Sequence, residues 1–231
     1  HENPRVPWHD NFNPKRYKAA EVEATLERLA NDGFNVVRVF TDHMDEQYGG
    51  VASDSDSGGL SRPYVDNLLD FIARARDHGV RVILCLCYTP SSRRYLDLIA
   101  AQELPAGLQG KVDNANLHQL HPGHVAAHAA FMADIARAIR KHDRSLLSTV
   151  FAYEVTNEAY QIATAPPFSL GSGRLEYEGT TYDLGNGDSL QALADASMVS
   201  WVDVCATAVR GVDPQAMVSV NVFSFGAVGR T

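Results

Sequence analysis

An α/β fold of the TIM (β/α)8 barrel type is what this sequence predicts, and three observations lead there. Helical and strand patterns alternate four times along 231 residues. The strand patterns are nearly continuous apolar runs, as in VRVILCLCY at 80–88, which suits parallel strands covered on both faces. Connections from strand to helix are long and those from helix to strand are short. Decoration therefore collects at one end of the sheet, which is where a barrel builds its site. The whole chain, 1–231, reads as one domain.

The first helix is expected over 14–31, with Val22, Leu26, Leu29 and Ala30 on one face and Gly33 ending it. A strand follows at 34–40. The second helix, 63–78, has Pro63 in its first turn and an apolar stripe of Val65, Leu68, Leu69, Ile72 and Ala73. Gly79 closes it before the strand at 80–88. The third helix covers 122–141 and leads to a strand at 149–155. The fourth covers 189–210, and Asp213-Pro214 separates it from a strand at 217–223. Right-handed crossovers make all four strands parallel. Four strands do not close a barrel, and a closed domain of this type takes about 250 residues. The expectation is an incomplete barrel, about strands 2 to 5, with the remaining strands outside this sequence.

Net charge is −8, which argues against a nucleic-acid groove and against an anionic membrane surface. No apolar run reaches the roughly 18 residues of a bilayer span, and no cationic-then-apolar leader opens the chain. Cys85 and Cys87 stand two apart in an apolar strand and share a face, so they do not easily bridge each other. With Cys205 they read as small buried hydrophobes.

Chemistry concentrates at one place. The strand pattern STVFAYEVTNE at 148–158 ends in Asn157-Glu158. A carboxylate at the C-terminal tip of a barrel strand points into the barrel mouth.

Three segments resemble the glycoside hydrolase clan of retaining (β/α)8 enzymes that contains the family 5 cellulases and mannanases. GFNVVRV at 33–39 resembles the clan's second strand, HGVRVIL at 78–84 its third, and FAYEVTNE at 151–158 its fourth. WVD at 201–203 with VDP at 212–214 resembles the passage between the fourth helix and fifth strand of family 5 mannanases. The resemblance implies a retaining hydrolase of β-linked oligo- or polysaccharides. Glu158 is then the general acid/base, Asn157 the contact to the sugar 2-hydroxyl, and Arg38 the arginine that supports the catalytic carboxylates. It also implies a carbohydrate partner, no cofactor and no metal, and a secreted or extracytoplasmic setting. Where many family members end the third strand near a histidine, this chain has Cys87 and Tyr88. The clan's nucleophilic glutamate lies on the seventh strand, and no residue here matches it.

Retaining hydrolysis needs two carboxyl groups about 5–5.5 Å apart. The proton donor works with a raised pKa, which partial burial and the nucleophile's charge would supply to Glu158. A guanidinium inside an apolar strand needs a partner. For Arg38 that is either the distant nucleophile or an interior acid such as Glu154. Glu154 precedes Glu158 by an even spacing, so an undistorted strand aims both at one face. Tyr88 and Tyr160 stand nearest the strand tips as stacking platforms for sugar rings, with Trp8 a further aromatic and Asp42 a possible lining of a sugar subsite.

Asp54 to Gly59 resembles the opening of a calcium loop but lacks its glutamate, so a solvated acidic turn is expected. His118, His121, His124 and His128 lack the intervening glutamate of a zinc-protease helix. No phosphate-cradling glycine loop follows a strand. Two other functions fit less well: a carbohydrate-binding barrel without a nucleophile, and a metal-dependent sugar isomerase. The latter needs ligands at several strand tips, and those visible, Thr41-Asp42, Tyr88-Thr89 and Phe223-Ser224, are poor metal donors.

Overall fold

The computed structural model describes residues 10–55, 58–108 and 114–222. Among these, four parallel strands form one sheet in the order β1 (Val36–Phe40), β2 (Arg81–Cys85), β3 (Val150–Glu154) and β6 (Val218–Ser219). Helices α1 (Ala19–Asn31), α2 (Arg62–Asp77), α5 (Pro122–His142) and α6 (Gly187–Arg210) connect them in the predicted alternation.

The helix-to-strand turns follow from two glycines. At the end of α1 the Gly33 and Phe34 amides donate back to Ala30 and Leu29 carbonyls. At the end of α2 the Gly79 and Val80 amides do the same to Arg76 and Ala75. Both are Schellman closures, which need a left-handed residue. Gly33 (φ 87) and Gly79 (φ 67) supply it without a Cβ to clash.

The period-two alternation of the strands sorts their side chains. Val82, Leu84, Leu86, Tyr153 and Val155 pack with the helices in the main core. Register places Arg38 beside Ile83 and Ala152, and Phe40 beside Cys85 and Glu154, on the opposite face. A bulge skips Phe151 between the Val82–Val150 and Ile83–Ala152 pairs, and Phe151 is exposed.

Helix α1 is shorter than expected. Asn13 accepts the Lys15 amide on Oδ1 and the Arg16 and Tyr17 amides on its carbonyl. That local turn competes with the helix, which begins only at Ala19. Strand β2 stops at Cys85, short of the expected end at 88, because the backbone turns left-handed at Tyr88. Phe223 and Trp8 lie outside the described residues, as do the middle residues of the acidic turn, 56 and 57.

Four elements were not foreseen. Helices α3 (Arg93–Ala100) and α4 (Asn114–Leu120) occupy the connection after β2, and an antiparallel hairpin, β4 (Arg174–Tyr177) with β5 (Thr180–Asp183), occupies the one after β3. The hairpin turns on Glu178 (φ 48) and Gly179 (φ 77), as a two-residue turn with both φ positive requires. Leu175, Tyr177, Tyr182 and Leu184 alternate with polar neighbours and bury in a second cluster with Leu108, Leu120 and Leu193. Helix α6 is long and apolar enough by composition to cross a membrane, although Asp195 and Asp203 interrupt any continuous apolar run. Its Leu193, Trp201, Cys205 and Val209 are buried, and α5 packs along it, so the apolar stripe has a protein core to face.

Candidate active site

The site is built where β2 and β3 end. Beyond β3 the chain continues through Val155 and Thr156, both buried, to Asn157 and Glu158. Glu158 adopts φ 51, and Tyr88, beyond the neighbouring strand, adopts φ 52. Neither is a glycine, so both carry strain of the order of 1–2 kcal/mol. Such outliers cluster at functional sites because surrounding structure has to enforce them. Both residues line one cleft, with Tyr160 beside them.

Glu158 is exposed rather than partly buried. Nor does the even spacing from Glu154 place the two acids alike. The strand ends at Glu154, which is 5% exposed, and the left-handed turn re-aims Glu158. Glu154 instead accepts the Arg38 Nε–H at 2.6 Å. The interior ion pair expected as one reading of Arg38 is present. The same guanidinium donates from Nη2 to Asn157 Oδ1 at 2.8 Å, and its central carbon Cζ lies 4.4 Å from the Phe40 ring centre. Burial opposes the Arg38 charge, but the hydrogen bond and charge of Glu154 outweigh it and raise its pKa. Because a guanidinium only donates, the amide atom facing it must be the oxygen. The Asn157 NH2 group is thereby left to face outward as a donor.

Cys85 and Cys87 lie beneath this network with sulfurs 3.2 Å apart, both free and buried. The shared thiol hydrogen bond and burial push Cys85 up, while accepting that bond pulls Cys87 down.

Tyr88 and Tyr160 line the cleft and are 48% and 46% exposed. Tyr88 packs edge-on against His43, with ring centres 5.1 Å apart. Asp42 is not in the cleft. Its carboxylate accepts the Met44 amide at 2.8 Å, and its own amide donates to the Tyr64 hydroxyl at 2.8 Å. That closes a local turn in the loop after β1. Trp8 lies outside the described residues.

Among the lining residues not assigned to the site from sequence are His118 and Gln119 on α4, His128 on α5, and Trp201 on α6. His128 donates or accepts at both ring nitrogens, with Nε2 2.9 Å from the Val155 carbonyl and Nδ1 3.3 Å from Thr89 Oγ1. A carbonyl only accepts, so Nε2 carries the proton. Burial pulls its pKa down to about 4. His121 caps α5, its Nδ1 accepting the Gly123 amide at 2.9 Å. The histidines are thus helix cap, wall and anchor. Among the described residues no group of three or more His, Cys, Asp or Glu is placed to hold a metal ion.

No protein-family model matches the chain, and no curated protein is similar to it. Solved structures are. The endo-1,4-β-mannanase from Rhizomucor miehei aligns over 91% of this chain and 54% of its own, with TM-score 0.60 and 11% identity. The hyperthermostable endo-1,4-β-D-mannanase from Thermotoga petrophila RKU-1 aligns over 87% and 50%, with TM-score 0.53 and 14% identity. Endo-glycoceramidase II from a Rhodococcus species aligns over 86% and 43%, with TM-score 0.51 and 18% identity. The chain spans about half the length of these structures. The described residues therefore form part of a (β/α)8 barrel, the fold of these glycoside hydrolases.

Proposed function

We propose that this chain carries the acid/base half of a retaining glycosidase acting on β-linked oligo- or polysaccharides. One observation carries the reading: Glu158 is held in a left-handed turn beyond β3, in a cleft flanked by two exposed tyrosines, on a barrel shared with mannanases and a glycoceramidase. Protonated Glu158 gives its proton to the glycosidic oxygen as a second carboxylate attacks the anomeric carbon. Ionised Glu158 then takes a proton from the water that releases the covalent intermediate. Asn157, with its oxygen occupied by Arg38, donates from its NH2 group to the sugar 2-hydroxyl oxygen. Arg38 acts through Asn157 and Glu154 as a positioning residue. Tyr88 and Tyr160 stack on sugar rings. The nucleophile is not assigned to any residue of this sequence, and an extracytoplasmic setting belongs to the same proposal.

The test is Glu158→Gln in a full-length protein that contains the complete barrel, assayed on aryl β-glycosides. Glutamine cannot donate a proton to a poor leaving group, whereas a good one departs without help. Activity is expected to fall by about 10²–10⁴ on poor leaving groups and much less on activated ones. Equal rates for variant and parent would remove Glu158 from the mechanism.

A further inference from the structure

The turn that carries Asn157 and Glu158 is not held by the sheet. The Val155 amide donates to the Ser219 carbonyl and the Ala159 amide to the Asn221 carbonyl. Between them the ladder to β6 lapses. Among the described residues, none of the amides of Thr156, Asn157 and Glu158 donates to a backbone carbonyl. Yet Glu158 stands at φ 51, a conformation that surrounding structure has to enforce. Other groups must hold it.

Those groups lie on the neighbouring strand. Cys85 ends β2 and Cys87 follows two residues on, both buried, with sulfurs 3.2 Å apart. Cys87 Sγ also accepts from the Asn157 backbone amide. On the other side, Arg38 Nη2 lies 2.8 Å from Asn157 Oδ1 and 3.8 Å from Cys85 Sγ. That nitrogen carries two hydrogens, one for each partner. The contacts close a ring. It runs from Arg38 to the Asn157 side chain, from the Asn157 backbone to Cys87, and through Cys85 back to Arg38. With the Cys85 S–H donating, Cys87 accepts two hydrogen bonds, which pull its pKa down against the effect of burial. A thiol that only fills space behaves otherwise: Cys205, buried in α6, is pushed up by burial to about 12.

We propose that Cys87, backed by Cys85, is a positioning residue whose sulfur anchors the Asn157 backbone amide and so sets the aim of Asn157 and Glu158 in the cleft. Its effect on catalysis rests on the glycosidase reading above; the anchoring of the turn does not. Sulfur is a weak acceptor, so the expected effect is modest. It falls on the chemistry more than on binding. Hydrogen bonds to the sugar 2-hydroxyl and to the transferred proton tighten in the transition state.

The experiment uses a full-length protein that contains the complete barrel. Cys87→Ala is expected to lower kcat on aryl β-glycosides about five- to tenfold, the equivalent of one modest hydrogen bond, with KM little changed. Cys87→Ser restores an acceptor and should recover most of the loss. Cys205→Ala, which also removes a buried thiol, should keep the parental kcat. Amide hydrogen exchange at Asn157 reads the anchor without substrate. That amide is expected to be protected in the parent and in Cys87→Ser, and to exchange roughly tenfold faster in Cys87→Ala. An unprotected Asn157 amide in the parent overturns the inference, and needs no variant that folds. A parental kcat in Cys87→Ala overturns it too, as does a loss shared equally by Cys87→Ser or Cys205→Ala. Glu158→Gln separates the two proposals. If hydrolysis survives that change, the glycosidase reading falls and exchange at Asn157 alone decides. Protection lost in Cys87→Ala then supports the anchor, and protection kept overturns it.

Discussion

The Arg38 guanidinium meets a Glu154 carboxylate oxygen at 2.6 Å, joining the edge strand β1 to β3 across the intervening β2. Glu154 is 6% exposed at its side chain and Arg38 31%. Breaking a buried pair strands a charge and costs about 3–5 kcal/mol, whereas removing both partners is often close to neutral. Partial exposure of Arg38 reduces the first figure. Glu154→Leu is expected to lose roughly 2–3 kcal/mol in urea unfolding, and Arg38→Met/Glu154→Leu to recover most of it. Additive single and double changes would show that the pair is not coupled.

Strain at Glu158 makes a prediction of opposite sign. Its φ of 51 suits asparagine better than glutamate, because a short polar side chain supports the left-handed backbone. Glu158→Asn is expected to raise stability by about 0.5–1 kcal/mol while abolishing hydrolysis. Glu158→Gln keeps the long side chain and gains nothing. Thermal unfolding of the two variants side by side decides the matter. If asparagine is no more stable than glutamine, the turn is not strained.

The parallel strands and their helices were legible because each element is long enough for its apolar period to dominate, and Gly33 and Gly79 mark its ends. Asn157-Glu158 was legible for the same reason, as a polar break in an apolar run. What the sequence hid were elements whose burial is decided by the partner they meet. Helices α3 and α4 are too short to show a stripe of their own. The hairpin does carry a signal, the alternation of Leu175, Tyr177 and Tyr182 around Glu178-Gly179, but its turn is not the Asn-Gly or Asp-Gly that marks a hairpin most strongly. Trp201 and His128 lie on expected helices, where neither residue marks a cleft. They are core, but their edges reach the cleft, and no periodicity distinguishes a core face from a cavity wall. Arg38 shows the limit in another way. Its need for a partner was visible, but Glu154 or a distant acid satisfied the pattern equally, and only register separates them.

Acid should unfold this chain through its histidines. His124 and His128 are both pulled down to about 4 from an ordinary value of 6.5, by burial first and then by neighbouring imidazoles. Between those values the unfolded chain binds more protons than the folded one, so stability rises with pH and is lost as pH falls from about 6.5 toward 4. Each histidine contributes at most about 1.4 kcal/mol per pH unit across that window. His128→Phe is expected to flatten the slope, yet to cost about 1–3 kcal/mol at pH 8, where it leaves the Val155 carbonyl unpaired. An unchanged slope in urea midpoints between pH 7 and 5 would mean that His128 is not buried neutral.

A close backbone approach occurs at Gly123, in the first turn of α5. A Cβ there would stand 2.5 Å from the Ile99 carbonyl oxygen and 2.8 Å from the His121 ring. Helix propensity favours alanine over glycine by about 1 kcal/mol. The clash works against it, because Ile99 contributes backbone that cannot swing aside and His121 is the cap of the helix. Overpacking costs about 1–3 kcal/mol, and here it also displaces α5 from α3. The clash should win. Gly123→Ala is expected to lower the thermal midpoint despite its better propensity. Gly187, in the first turn of α6, is the control, since nothing stands within 4 Å of a Cβ built there. Gly187→Ala should leave the midpoint unchanged or raise it slightly. If both substitutions shift the midpoint alike, the contact between the start of α5 and Ile99 is not the determinant.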